Sequence, residues 1–254
     1  MRDVIVIGAG PAGLACAQAL AARGRDVLVL EEHDAVGYPV HCTGVLGREA
    51  FDELDLPRDA ILGYSRSATF RAPDGLAVVV ESDHVIAAVI DRGRFDHLLA
   101  RRAVDAGATV ETGARVQHVE VLHGGVSVST LRHDRPFCAR ACVLACGASY
   151  RFNRALGLGV PRTFLQTAQV AAPFPDTPHV EVQLGREVAP SGFAWTVPFH
   201  RDGRPHARLG LMCSRDSRRR FDAYVADRAR RAGLDRLELP PPRACASAPQ
   251  GSPV

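Results

Sequence analysis

The sequence predicts an α/β fold in two parts, a Rossmann-like unit with a parallel sheet and an antiparallel β-sheet region. Three observations predict it. An apolar run, a glycine-rich turn, an alanine-rich helix and a second apolar run follow one another in "DVIVIGAGPAGLACAQALAARGRDVLVLEE". Further on, "QTAQVAA", "HVEVQLG", "GFAWTVPF" and "HARLGLM" are short strand-like runs separated by turn residues. Finally, 254 residues with 46% apolar and 23% charged content suit one or two ordinary globular domains with a large core.

The first segment carries the most information. "VIVI" has the β-branched, unbroken apolar character of a buried parallel strand. Gly8 permits the tight turn, Gly10 lets the backbone approach a pyrophosphate, and Gly13 lets the helix pack close to the strand. From Pro11 and Ala12 onward the helix N-terminus offers free N–H groups and a positive dipole end to phosphate. Gly24 stops that helix. "DVLVL" is a second buried strand. Glu31 stands at its end with Glu32 beside it, about 20 residues on, where a carboxylate accepts hydrogen bonds from a ribose diol. The pattern predicts dinucleotide binding.

Residues 38 to 65 read as loop and short helix. "SATFRA" and "LAVVVE" are strands joined by a "PDG" turn. A helix follows, with Phe95, Leu98, Leu99 and Ala103 on one face and Gly107 as its stop. "TVETG", "ARVQHVEVL", "GVSVSTL" and "FCARACVLACGA" are strands, and Gly124-Gly125 makes a hairpin between the second and third. "SRDSRRRFDAYVADRARRAGL" is an amphipathic helix with Phe221, Val225 and Ala229 on its inner stripe and a solvated arginine run. The tail has much Pro, Ala and Ser and reads as disordered. The expected division is 1–65 with 88–160, then 66–87 with 161–235, then the tail 236–254.

Composition excludes several classes. A net charge of +3 does not imply nucleic acid. All 31 basic residues are arginine, so lysine chemistry is ruled out. No run of about 20 apolar residues spans a membrane. The N-terminus begins directly as a strand and lacks a secretory signal. Seven cysteines, mostly in apolar contexts, fit a reducing, cytoplasmic setting. Cys138, Cys142 and Cys146 recur at every fourth residue, but on a strand that spacing spreads them over ~13 Å. No metal site is expected.

At this point the residues carry a resemblance. "VIVIGAGPAGLACAQALAARGRDVLVLE", "DRGRFDHLLARRAVDAGATV" and "VLACGAS" resemble three ordered signatures of FAD-dependent oxidoreductases of the p-hydroxybenzoate hydroxylase type. "YPVHCTGVL" resembles the Pro-x-x-Cys-x-Gly segment of the geranylgeranyl reductase family. "GFAWTVPF" resembles that family's Tyr-x-Trp-x-Phe-Pro motif, with Phe193 and Val197 in place of Tyr and Phe. Gly210-Leu211-Met212 follows where the family has Gly-x-Gly. The late Gly-Asp segment of these flavoproteins is missing, so the sequence looks like the first two-thirds of an enzyme, truncated or frameshifted near Arg243.

The resemblance implies an FAD-dependent oxidoreductase that reduces C=C bonds of a geranylgeranyl or other prenyl lipid by hydride transfer from flavin N5. FAD would be held by the glycine loop and Glu31, with Arg92, Val116 and Gly147 also at the cofactor. Cys42 would act beside the isoalloxazine ring as the catalytic group. His41 reads as a loop histidine. Phe193, Trp195 and Pro198 would line the lipid cavity. The partners implied are an apolar small-molecule substrate and an external donor, with NADPH, ferredoxin and quinol all open, and peripheral membrane contact is compatible with a lipid substrate. Two rivals stay open: a flavin-dependent monooxygenase or halogenase on the same fold, and an inactive fragment with weak or no FAD binding.

Overall fold

The computed structural model describes residues 1–40 and 42–234, with residues 243–250 described as backbone. The chain order begins β1 (Arg2–Ile7), α1 (Pro11–Ala21), β2 (Val27–Leu30), β3 (Val45–Gly47), α2 (Arg48–Glu53), β4 (Ile61–Ser65), β5 (Ser67–Arg71), β6 (Ala77–Glu81), β7 (Ala87–Ile90) and α3 (Arg92–Asp105). It continues with β8 (Thr109–Glu111), β9 (Val116–Leu122), β10 (Gly125–Thr130), β11 (Phe137–Leu144), α4 (Arg151–Ala155), β12 (Thr163–Pro173), β13 (Val180–Gln183), β14 (Phe193–Arg201), β15 (Arg204–Cys213), α5 (Ser217–Arg231) and β16 (Arg243–Gln250).

These elements form two units, Met1–Val40 with Arg92–Val160 and His41–Asp91 with Pro161–Val254. The first holds a six-stranded sheet in the order β8-β2-β1-β11-β10-β9. Its β1, β2, β8 and β11 run parallel, as the apolar runs predict, and β9 and β10 add an antiparallel hairpin beside β11. β2 is buried at every residue. Ile5, Ile7, Leu28, Leu30, Val128 and Phe152 share one core. α1 packs against α3, whose Phe95, Leu99 and Ala103 are buried and whose Leu98 is half-buried.

The second unit holds a seven-stranded sheet in the order β16-β12-β15-β14-β13-β5-β6, and a three-stranded sheet β3-β7-β4. Strand alternation sorts its side chains onto two faces. One face packs Ala168, Leu209 and Leu211 against Phe221, Tyr224 and Val225 of α5. The other packs Trp195, Val197 and Phe199 with Val89 of β7. The inner stripe of α5 contains Phe221, Val225 and Ala229, and also buries Tyr224 and Arg228. Tyr224 Oη and Thr196 Oγ1 are 2.8 Å apart, and Arg228 Nη1 lies 2.6 Å from Glu181 Oε2.

Four details differ from the sequence reading. Residues 38 to 65 contain β3 and β4 as well as a helix, because both pair with β7. Strands of three to five residues are too short to show a period, and the pairing puts residues from 41 onward in the second unit rather than with 1–40. The region expected to be antiparallel has one parallel pair, β5 with β13. Finally, residues 243–250 of the tail form β16, antiparallel to β12 at a sheet edge. Main-chain pairing asks little of composition, and an edge strand tolerates Pro249. Residues 235–242 and 251–254 lie outside the described residues. Among the described residues, no helix is long and apolar enough to cross a membrane.

Candidate functional site

In the first unit, the three glycines of the turn have three different constraints. Gly8 has φ +106°, and a Cβ there would stand 2.4 Å from the Ala145 carbonyl oxygen at the end of β11. A Cβ on Gly13 would stand 2.0 Å from the Gly8 carbonyl oxygen, so the helix is seated directly on the turn. A Cβ on Gly10 would meet no described protein atom within 4 Å. Gly10 is also the N-cap of α1 and makes no side-chain cap, and Pro11 occupies the first helical position, where no N–H is needed. The N–H groups of Ala12 and Gly13 fall in the first turn, which has no intrahelical acceptors. The first helical bond is Leu14 N–H to Gly10 O at 2.9 Å.

Glu31 is fixed beside this loop. Its Oε2 accepts the Ala9 N–H at 2.8 Å, and its Oε1 accepts the His33 N–H at 3.0 Å. His33 Nδ1 stands 2.6 Å from the same Oε1. Glu32 is not brought to the loop: its carboxylate is half exposed and faces Arg115 Nε at 3.5 Å. Arg92 opens α3 and is paired to Asp96 by both Nε and Nη2. Burial holds the Asp96 carboxyl above its usual range, against the pull of the Arg92 guanidinium. Val116 places its side chain in the core, and its carbonyl accepts Arg151 Nη2 at 2.5 Å. Gly147 takes φ +59° in the turn after β11. Beside it, burial pushes the Cys142 thiol up to about 12 and the Cys146 thiol up to about 11.

The second unit holds the other candidates. Cys42 is exposed, and its Sγ accepts the Gly44 N–H at 3.4 Å. His41 lies outside the described residues. Phe193 and Trp195 point the same way along β14, with ring centroids 5.8 Å apart. Pro198 lies where β14 has outrun β13, so its missing N–H costs no ladder bond on that side. Two polar residues that the sequence reading missed sit among these. Gln169 Nε2 donates to the Cys42 carbonyl at 3.2 Å, and Trp195 Nε1 donates to Gln169 Oε1 at 3.3 Å. Arg208 donates to the Thr43 carbonyl at 2.5 Å and to the Ile90 carbonyl at 2.8 Å. The available signal was a polar residue at an inward position of an alternating apolar strand.

A family model described as lycopene cyclase protein matches residues 3–178. The chain belongs to that family. Among curated proteins it is 31% identical to a digeranylgeranylglycerophospholipid reductase of Methanosphaerula palustris, over 84% of this chain and 55% of the relative. A reductase of the same name from Methanosphaera stadtmanae is 28% identical over 89% of this chain and 58% of the relative. The resemblance to geranylgeranyl reductases is met by these relatives. The chain spans little more than half their length. A geranylgeranyl bacteriochlorophyll reductase-like structure from Thermoplasma acidophilum superposes with TM-score 0.84 at 22% identity, covering 98% of this chain and 66% of that one. The halogenase PltM in complex with FAD gives TM-score 0.73 at 15% identity, covering 97% and 60%. These likenesses establish the fold as that of Rossmann-type flavoproteins.

Proposed function

We propose that this protein is an FAD-dependent oxidoreductase that reduces C=C bonds of a geranylgeranyl-type lipid. The observation that carries the cofactor is the first unit's loop. A bare Gly10 opens over a helix N-terminus, with Glu31 held at its flank by Ala9 and His33. A pyrophosphate fits free N–H groups at that end, and a ribose diol fits an oriented carboxylate. The donor set therefore suits FAD. Bound there, FAD supplies the hydride chemistry that side chains lack. The chain's own part is to bind and orient. Ala12 and Gly13 offer N–H groups to phosphate, and Glu31 holds the ribose. Arg92, ordered by Asp96, and Gly147 are proposed for the flavin side. Glu32 and Val116 are weaker candidates, since one faces Arg115 and the other is committed to the core and to Arg151.

In the second unit, Phe193 and Trp195 are proposed to form an apolar wall for a prenyl chain, with Pro198 at its margin, and the exposed Cys42 is proposed as the catalytic group. The names of the relatives favour a prenyl lipid substrate, and such a reaction needs an external electron donor. The visible absorbance spectrum of the purified chain tests the reading, taken before and after FAD addition and desalting. A retained flavin band in stoichiometric amount supports it, and a colourless protein overturns FAD binding by this chain. A second reading, a monooxygenase or halogenase, is favoured only by solved neighbours such as PltM. Substrate-stimulated oxygen uptake with a hydroxylated or halogenated product would select it.

A further inference from the structure

We infer that Gln169 and Arg208 are positioning residues that hold the Cys42–Thr43 backbone, and that Gln169 joins this segment to Trp195 through a gap left by Gly210. The inference rests on the reading that Cys42 and Trp195 serve the same substrate. Gln169 on β12 is opposite Gly210 on β15, and Gly210 is opposite Trp195 on β14. The three residues form one row across three strands, on one face. A Cβ at Gly210 would stand 2.4 Å from Trp195 Cζ2. Its absence lets the indole lie across the middle strand and reach the amide on the far one.

The chemistry of the row explains why residue 169 is a glutamine. An indole N–H only donates, and a peptide carbonyl only accepts. The group between them must accept on one side and donate on the other, which a carboxamide does and an apolar side chain does not. Gln169 and Trp195 are 9% and 7% exposed. Neither polar group could lose its partner there without the full cost of burial. Arg208 repeats the logic with charge. It is 4% exposed, lies 4.8 Å over the Phe199 ring, and spends two donors on carbonyls of different segments, Thr43 and Ile90. Those segments already touch through Ile90 N–H to Gly44 O at 2.8 Å. Both carbonyls at residues 42 and 43 are thus drawn inward, while the Cys42 side chain stays exposed. The Cys-containing segment and the tryptophan motif, far apart in sequence, form one hydrogen-bonded assembly.

The test uses the full chain. Trp195 is its single tryptophan, so the emission spectrum reports that residue alone. Gln169→Met keeps length and removes both bonds. The expected result is a shifted Trp195 emission and a rise of about fivefold in amide hydrogen exchange of the peptide covering residues 42–44, the scale of one lost hydrogen bond. Exchange in α5 should be unchanged. Trp195→Phe provides the second route: it removes the indole N–H donor, with part of the ring's volume, leaves Gln169 in place, and should also speed exchange at 42–44. Unchanged exchange at 42–44 in both variants overturns the inference. So does an equal rise throughout the second unit, which would mark general loosening. If Gln169→Met does not fold, Trp195→Phe alone decides. Neither readout involves flavin, so failure of the FAD reading would leave the result intact. Loss of this assembly would in turn leave a flavin spectrum unchanged.

Discussion

Gly10 separates binding from stability at the scale of one residue. Because no described atom lies where its Cβ would stand, Gly10→Ala should change the unfolding free energy of the flavin-free protein by no more than about 1 kcal/mol. Flavin retention should nevertheless fall by about tenfold or more, since the added methyl occupies the approach to the turn. Gly13→Ala should do the reverse and mainly destabilise, because its Cβ would overlap the Gly8 carbonyl. Denaturant curves and flavin titrations on the two variants check this crossing pattern. The Cys142 and Cys146 thiols carry a pH dependence of definite sign. Their ordinary value is 9.0, and burial raises them to about 12 and about 11. A raised folded value favours the protonated, folded state, so their contribution is whole below pH 9 and is lost as pH rises through 11 to 12. Unfolding midpoints measured from pH 8 to 11 should fall less steeply in the Cys142→Ala, Cys146→Ala double variant. The tight turn at Gly8 and the close helix packing at Gly13 were readable from local spacing. The roles of Gly210 and Gln169 were not, because the row they share exists only once three strands are in register.

Among the elements, α5 is held by more than its apolar stripe. Arg228, on its inner face, reaches Glu181 on β13, and Arg71 on β5 approaches the same carboxylate at 3.5 Å. Both ends of the Arg228–Glu181 pair are largely buried, so removing Arg228 leaves the Glu181 carboxylate with only the longer Arg71 contact. Arg228→Met should therefore destabilise the second unit by about 3 kcal/mol. Adding Glu181→Leu should recover part of that loss, and urea unfolding of the four members of the cycle would measure the coupling. The Phe221, Val225 and Ala229 stripe was legible in the helix period. The charged pair beside it was not, since Arg228 resembles the solvated arginines around it until β13 supplies its partner. The small sheet β3-β7-β4 was illegible for a different reason: its strands are short, and their stability is tertiary. The β1-α1-β2 segment was the most legible part of the chain because all its constraints lie within 30 residues.

For the whole molecule, the two units are interleaved in sequence. The first is interrupted after Val40 and resumes at Arg92. Sequence patterning found both kinds of sheet but placed the first boundary late, because nothing local marks residue 41 as a change of unit. The central pair of the first sheet, β1 with β11, joins residues 2–7 to residues 137–144. That pairing has a consequence for synthesis. As the chain leaves the ribosome, β1, α1 and β2 can assemble early, but one side of β1 stays bare until more than a hundred further residues have appeared. Closing so long a loop is slow, and a bare apolar strand edge is a risk while it lasts. Released truncated chains ending before residue 137 should be cut readily by protease near β1, and chains extended past residue 160 should resist. The turn that forms the proposed dinucleotide cradle leans on Ala145, directly after β11, so the cradle is completed only when that late strand arrives. A newborn chain would be unable to complete the proposed cofactor cradle until residue 145 had been made.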